Sequence, residues 1–379
     1  MNTHISKNKF RNILTFSLIL VYIIVALIYQ QYMFNEIIKT NLFLTMLGGL
    51  IVVDFLISPN FRLTLKKINQ PTSLVLILLG FLILNAVFIR DYFLLGAFFN
   101  LIICSVIGIR LSYFKLNPKF LLIPFYFLII YILYRLTLNL NPERVFVNSR
   151  NYISFYLIIT VIPYYLISFK NRLNPSYTPS LITVALCFYS FGRAGIVSSI
   201  LIVISVLIYY NKGLKVIYYF TVISSLIGVL ISIYLFEEFS SLKKFSNLEN
   251  FLSDGGRSII ASSYLNNLDF FKVLLGVDVY QDLPNQMAKY GHVHSSYINF
   301  HSAVGIGSLI FGYHSLQKLY QFFKINKSLL FLFIALILRA STDVGLLFGY
   351  FDYIFWIFLF SSVNIKKASK LPKNYINEL

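Results

Sequence analysis

The chain has 379 residues, of which 58% are hydrophobic and only 12% charged, with a mean hydropathy of +0.75 and a formal net charge of +18. Apolar runs at this density exclude an ordinary soluble domain, and the two cysteines, Cys104 and Cys187, both inside apolar runs, give neither a disulfide framework nor a Cys-based metal site. The lysines and arginines fall in short connectors between apolar runs, which excludes a nucleic-acid surface and matches the positive-inside bias of a polytopic membrane protein.

Residues 13–34 form the first apolar run, preceded by Lys7, Lys9 and Arg11. The run is long and has no small-residue cleavage pattern, so it reads as a retained anchor rather than a signal peptide. Runs 41–57, 72–89, 92–109, 120–138 and 152–168 follow. Basic connectors (Arg62, Lys66, Lys67; Arg110, Lys115, Lys119; Lys170, Arg172) alternate with the turns at 35–40, 90–91 and 139–150. The runs are rich in Leu, Ile, Phe and Val and lack the alternation of an outer-membrane barrel. Helices of about 20 residues are then the structures that satisfy the backbone in lipid.

Residues 180–210 carry inner-type charges on both flanks, Lys170 and Arg172 before, Lys212 and Lys215 after. An even number of crossings is required, so the chain turns at Ser190-Phe191-Gly192-Arg193-Ala194-Gly195 and places Arg193 at the outer edge. A ninth span at 216–236 opens the only long hydrophilic segment, 237–294. Span 10 (296–313) returns to Lys318, Lys324 and Lys327, and spans 11 (328–340) and 12 (344–363) enclose the outer turn Arg339-Ala340-Ser341-Thr342-Asp343 before a basic tail. The expected fold class is an all-α integral membrane protein of about twelve transmembrane helices. It forms a single polytopic domain over 1–379, with one large extracytoplasmic loop at 237–294 between spans 9 and 10 and both termini cytoplasmic.

On that topology seven of the eleven arginines lie outside, whereas sixteen of the twenty-one lysines lie inside. Arginine is planar, permanently charged and bidentate toward phosphate, so an Arg-rich outer face points to an anionic ligand. Four outer features converge: Arg193, Arg257 in Asp254-Gly255-Gly256-Arg257, His292 with His294 at the start of span 10, and Arg339 with Asp343. Ser295 or Ser296 suits the N-cap of span 10, which puts His294 at a helix entrance. His301, seven residues on, is expected on nearly the same face, pointing into the bundle. Structural readings stand beside these. An arginine next to glycine in a membrane turn also serves as an interfacial snorkelling residue, and Arg339 with Asp343 at i,i+4 also makes a local ion pair. A metal pair at His292 and His294 would find only Asp278 and Asp282 as nearby carboxylates, and none is expected. Gly305-Ile306-Gly307, inside an apolar run, reads as small-residue helix packing.

Three pieces resemble, in order, the O-antigen polymerase and O-antigen ligase superfamily of bacterial membrane glycosyltransferases. Ser190–Gly195 is similar to the family's Ser-x-x-Arg-Gly turn. Gly256-Arg257 with Leu274-Leu275-Gly276-Val277 is similar to the "Gly-Arg … Leu-Leu-Gly-Val-Gly" of its periplasmic loop. His294-Ser295-Ser296-Tyr297 with Gly305-Ile306-Gly307 is similar to "His-Asn/Ser-x-x-Leu … Glu-x-Gly-x-x-Gly". Ala194, Asp278 and His301 depart from the family's Gly, Gly and acidic residue. The match runs from Ser190 to Gly307, with a looser one over Arg339–Asp343.

The resemblance implies a plasma-membrane enzyme whose site faces the periplasm and whose substrate is an oligosaccharide on undecaprenyl diphosphate. His294 would be the general base, and Arg193, Arg257 and Arg339 would bind the diphosphate, with His292, His301 and Asp343 as secondary candidates. Neither a metal nor another cofactor is called for, since the diphosphate is already an activated leaving group. The lipid bilayer is a partner, and a chain-length regulator and a flippase of the same pathway are candidate partners. The expected activity is repeat-unit polymerisation. Its rivals are a ligase that delivers the glycan to lipid A core and a lipid-linked oligosaccharide flippase, which should carry charges through the middle of its spans, where only Asp54 and Asp352 stand.

Overall fold

The computed structural model describes residues 2–32, 37–58, 61, 69–89, 93–113, 117–138, 145–146, 151–190, 192–210, 257–290, 293, 295–342 and 345–361. Every regular element among them is helical. The first six are α1 (Asn2–Tyr32), α2 (Ile37–Leu56), α3 (Asn69–Ile89), α4 (Phe93–Tyr113), α5 (Leu122–Leu138, entered through a 3-10 turn at Pro118–Leu121) and α6 (Asn151–Lys170). They are followed by α7 (Thr178–Tyr189) and α8 (Arg193–Tyr209). Phe10–Tyr29, Gly96–Tyr113, Pro118–Leu138 and Asn151–Lys170 are long and apolar enough to cross a membrane, and four shorter apolar helices, two of them α7 and α8, accompany them. The expected ninth span, the first part of the long loop and the basic tail lie outside the described residues.

Helix α6 is the axis of the bundle, buried from Ile153 to Phe169. The outer helices present the opposite pattern. Leu42, Met46, Leu50 and Val53 of α2 and Leu76, Ile83, Val87 and Phe88 of α3 are exposed, in apolar bands compatible with lipid.

Residues 257–290 fold into four short helices, α9 (Arg257–Asn266), α10 (Phe270–Leu275), α11 (Val279–Asp282) and α12 (Pro284–Tyr290). Ile260, Tyr264, Val277, Val279, Leu283, Met287 and Val293 give them a small apolar core of their own. The chain then returns through α13 (Ser296–Val304), α14 (Gly307–Ile325), α15 (Lys327–Thr342) and α16 (Tyr353–Phe360).

Hydrogen bonds between helices sort their termini into two ends. At one, Arg11 Nε and Arg110 Nη2 hold the Asp54 carboxylate at 2.8 and 2.7 Å, Lys170 donates to the Ser112 carbonyl, and Lys318 donates to the Ser361 carbonyl at 3.1 Å. Ser205 Oγ donates to the Ser328 carbonyl at 2.8 Å, so the end of α8 meets the start of α15. At the other end lie the start of α6, the start of α8 and the end of α15, since Arg339 Nη2 donates to the Asn151 carbonyl at 2.8 Å.

Two expected spans are not continuous helices. Span 10 breaks at Gly305, whose φ of +50° ends α13, so Gly305-Ile306-Gly307 is a backbone break as well as a packing site. Span 12, expected at 344–363, is helical only over Tyr353–Phe360; residues 345–352 are irregular, with Leu347 and Phe348 at positive φ. The Asp352 carboxylate accepts the Leu347 N–H at 2.5 Å and the Phe348 N–H, replacing the partners a helix would have supplied. Leu346, Leu347, Phe351 and Asp352 are buried, so protein surrounds this irregular backbone.

Candidate functional site

Each matched motif supplies a helix terminus to one end of the bundle. The chain breaks between Tyr189 and Arg193, and Gly192 is the N-cap of α8. A Cβ on Gly192 would lie 3.1 Å from Ser154 Oγ and 3.2 Å from Asn151 Oδ1, and one on Gly195 would strike the Ser154 side chain. Small residues therefore let the start of α8 lie directly on the first turn of α6, leaving the Arg193 side chain exposed.

Asn151 links this turn to Arg339. The guanidinium of Arg339 is 1% exposed; it donates to the Asn151 carbonyl at 2.8 Å and to Thr342 Oγ1 at 3.1 Å, and sits 5.5 Å from the centre of the Phe155 ring. Arg257, the first residue of α9, donates from Nη2 to the Thr342 carbonyl at 3.3 Å. Arg257 and Arg339 thus meet on one residue, Thr342, although 82 positions separate them in sequence (339 − 257). The three arginines differ in what they offer. Arg193 is exposed and Arg257 half-buried, whereas Arg339 is buried and ties α15 to the start of α6.

Helix α13 enters the same region. Ser295 takes the N-cap position with its side chain making no capping bond, and Ser296 Oγ accepts the Leu346 N–H at 3.3 Å. Tyr297 Oη donates to the Ile337 carbonyl of α15 at 3.0 Å. The helix that follows His294 is therefore fastened to the segment carrying Arg339 and Thr342. His292, His294 and Asp343 themselves lie outside the described residues. Among the described residues no three His, Cys, Asp or Glu side chains cluster.

His301 does not point into the bundle as its spacing from His294 suggested. Phe300, Ala303 and Val304 take the bundle side of α13, while His301 turns to the small subdomain, its Nδ1 2.7 Å from Tyr264 Oη. Burial, with the Asp282 charge adding to it, holds the Tyr264 phenol well above its ordinary pKa, so it stays protonated and donates to Nδ1. The Val273 backbone hydrogen-bonds the same imidazole. Each partner comes from the subdomain, which is the physical reason for the turn outward.

The second and third motifs meet directly. The Val277 N–H donates to the Ser302 carbonyl at 3.0 Å and the Ile306 N–H donates to the Leu274 carbonyl at 3.2 Å. Asn85 of α3, buried, donates from Nδ2 to the carbonyls of Leu275 and Ser302 at 2.6 and 2.9 Å. Gly276 at φ +107° faces the Ser302 backbone, and Gly305 at +50° faces that of Leu274 and Leu275, each so closely that a side chain would collide with it. Asn151, Thr342, Tyr264 and Asn85 carried no signal in the sequence. Two of them act largely through backbone carbonyls, which every residue owns, and the others are single polar residues without a local pattern.

No family model, no curated protein and no solved structure matches the chain.

Proposed function

We propose that this protein is a polytopic plasma-membrane glycosyltransferase that polymerises the repeat units of a surface polysaccharide. It would move the growing glycan from undecaprenyl diphosphate onto the next lipid-linked repeat, at a site on the extracytoplasmic side. The single observation carrying this reading is the meeting of Arg257 and Arg339 on Thr342, beside the start of α8 with Arg193 and the start of α13 after His294. Residues dispersed over 150 positions are gathered at one end (342 − 193 is 149), and they are the residues that the resemblance marks. The basic cluster of Arg11, Arg110, Lys170 and Lys318 at the opposite end supports a cytoplasmic assignment for that end, both termini included. The twelve-span count and the 237–294 loop belong to this proposal.

In the proposed reaction the acceptor hydroxyl attacks the anomeric carbon and gives its proton to His294 as general base. The bond from that carbon to the diphosphate oxygen breaks, and the diphosphate leaves with the electron pair. Arg193 and Arg257 stabilise its charge with forked hydrogen bonds that matter most where water is thin. Arg339, being buried, holds the two sides of the site together in the state described. The flippase reading loses support because Asp54 is held by two arginines and Asp352 by backbone N–H groups, so neither lines a charged path.

Electrophoresis of surface glycolipid from a deletion strain tests the acceptor. A polymerase leaves single repeats capping the core; a bare core with long carrier-linked chains would mean a ligase instead. Complementation with Arg193→Lys or Arg257→Lys should shorten the chains severely, since lysine keeps the charge but loses the fork. Full chain length in both would return the arginines to simple snorkelling.

A further inference from the structure

The small subdomain carries a feature that the site does not use. Phe270 and Phe271, adjacent on α10, are 72% and 71% exposed, and their rings lie 5.8 Å apart edge to face. The one charge within that helix is turned away from them, because Lys272 Nζ is held by Asp282 Oδ1 at 2.7 Å. Water-facing helices show the reverse arrangement, with apolar groups inward and lysine outward.

The depth of α10 follows from its attachment. Asn85, four residues from the end of α3, holds the Leu275 carbonyl at 2.6 Å. The C-terminus of α10 therefore sits roughly 6 Å below the end of that helix, at 1.5 Å per residue. Val87 and Phe88, farther out along α3, are 64% and 67% exposed and belong to its lipid-facing band. Six residues of helix span only about 9 Å, so its phenylalanines lie between the end of α3 and about 14 Å below it, according to the way α10 runs. That range covers the headgroup layer, roughly 5–8 Å thick on each side of the hydrocarbon core, and the acyl chains directly beneath it.

We infer that α10 is an interfacial wedge, with Phe270 and Phe271 inserted into the leaflet on the Arg193 side and continuous with the lipid-facing band of α3. The occupant of this surface is lipid acyl chain. The wedge is rigidly joined to the site, because the carbonyls of Leu274 and Leu275 are bound by Ile306 and Asn85. It fixes the height of the subdomain, and with it Arg257, at the surface where a lipid-linked substrate presents its headgroup. The inference rests on the membrane reading and is independent of the glycan chemistry.

Spin labels on Phe270→Cys, Phe271→Cys, Phe88→Cys and Asn285→Cys, in phosphatidylethanolamine–phosphatidylglycerol vesicles, test it by collision with oxygen and with a water-soluble nickel chelate. Cys104 and Cys187 are buried, which keeps background labelling low. Position 88 should favour oxygen, position 285 the chelate, and position 270 or 271 should follow 88 with a severalfold higher oxygen-to-chelate ratio than 285. Chelate-favoured collisions at both 270 and 271, with 88 favouring oxygen, would overturn the wedge alone. Weak collision with both reagents at 270 and 271 would mean that protein covers the pair, and would overturn it equally. A chelate-favoured result at 88 would overturn the membrane reading with it.

Discussion

Arg339 and Asn151 are joined by a 2.8 Å hydrogen bond from a guanidinium to a backbone carbonyl, across 188 residues of sequence and inside an apolar bundle. A buried guanidinium is costly unless its donors are used; here Nη2 bridges α15 to the first turn of α6, and Nη1 is held within α15 by Thr342. The same first turn carries Gly192 and Gly195 against it, so Arg339 and the start of α8 share one anchoring turn.

Arg339→Leu should therefore lower stability and activity together. It removes two hydrogen bonds from a charged donor, each contributing on the order of 1.5–3 kcal/mol. Thr342→Val removes only the Oγ1 partner and leaves the carbonyl that Arg257 uses, so its loss should be about half as large. Thermal unfolding in detergent measures both; equal stability for Arg339→Leu and wild type would contradict the strut role.

Gly276→Ala and Gly305→Ala should each be far more damaging than alanine at Gly49 or Gly80, where a Cβ meets nothing within 4 Å. Both knot glycines combine positive φ with a backbone contact, so alanine is strained and obstructed at once. Limited proteolysis should cut residues 257–290 sooner in both variants, as the subdomain loses its hold on α13. Unchanged protection would mean that Asn85 alone suffices.

Much of this architecture was legible in the sequence. Lys170 and Arg172 before residues 180–210, with Lys212 and Lys215 after, forced a turn, and the helix break falls between Tyr189 and Arg193. The irregular segment 345–352 was hidden because hydropathy counts apolar side chains and ignores backbone partners. Asp352 reads as a stray mid-span charge, and only in the folded chain does it receive the N–H groups of Leu347 and Phe348. The outward turn of His301 was hidden similarly, since Tyr264 is distant in sequence and its core forms only when the subdomain folds.

Alkaline pH should loosen the subdomain. Tyr264 has its pKa raised by folding, so its contribution is fully present below the ordinary tyrosine value of about 10 and is lost as pH rises from there through the folded value. Hydrogen exchange of residues 257–290 should accelerate above that point in wild type and accelerate less steeply in Tyr264→Phe. Identical pH profiles would remove Tyr264 as the titrating group.

The proposed sidedness of the site rests on the basic cluster of Arg11, Arg110, Lys170 and Lys318 at the opposite end of the bundle. Single cysteines at Ser262 and Ser341, both on the surface, should react with an impermeant thiol reagent in intact spheroplasts. Labelling that appears only after permeabilisation would place the arginines on the cytoplasmic side and reverse the orientation.

The central claim is bond breaking between a glycan and a polyprenyl diphosphate at the end where Arg193, Arg257 and the start of α13 lie. Purified protein in vesicles, supplied with undecaprenyl-diphosphate-linked repeat units and no nucleotide sugar, measures it directly. Longer carrier-linked chains should appear, with one undecaprenyl diphosphate released per linkage formed, and both products should vanish in His294→Ala at equal protein level. Release and chain growth that persist in His294→Ala, or their absence in the wild-type protein, would contradict it.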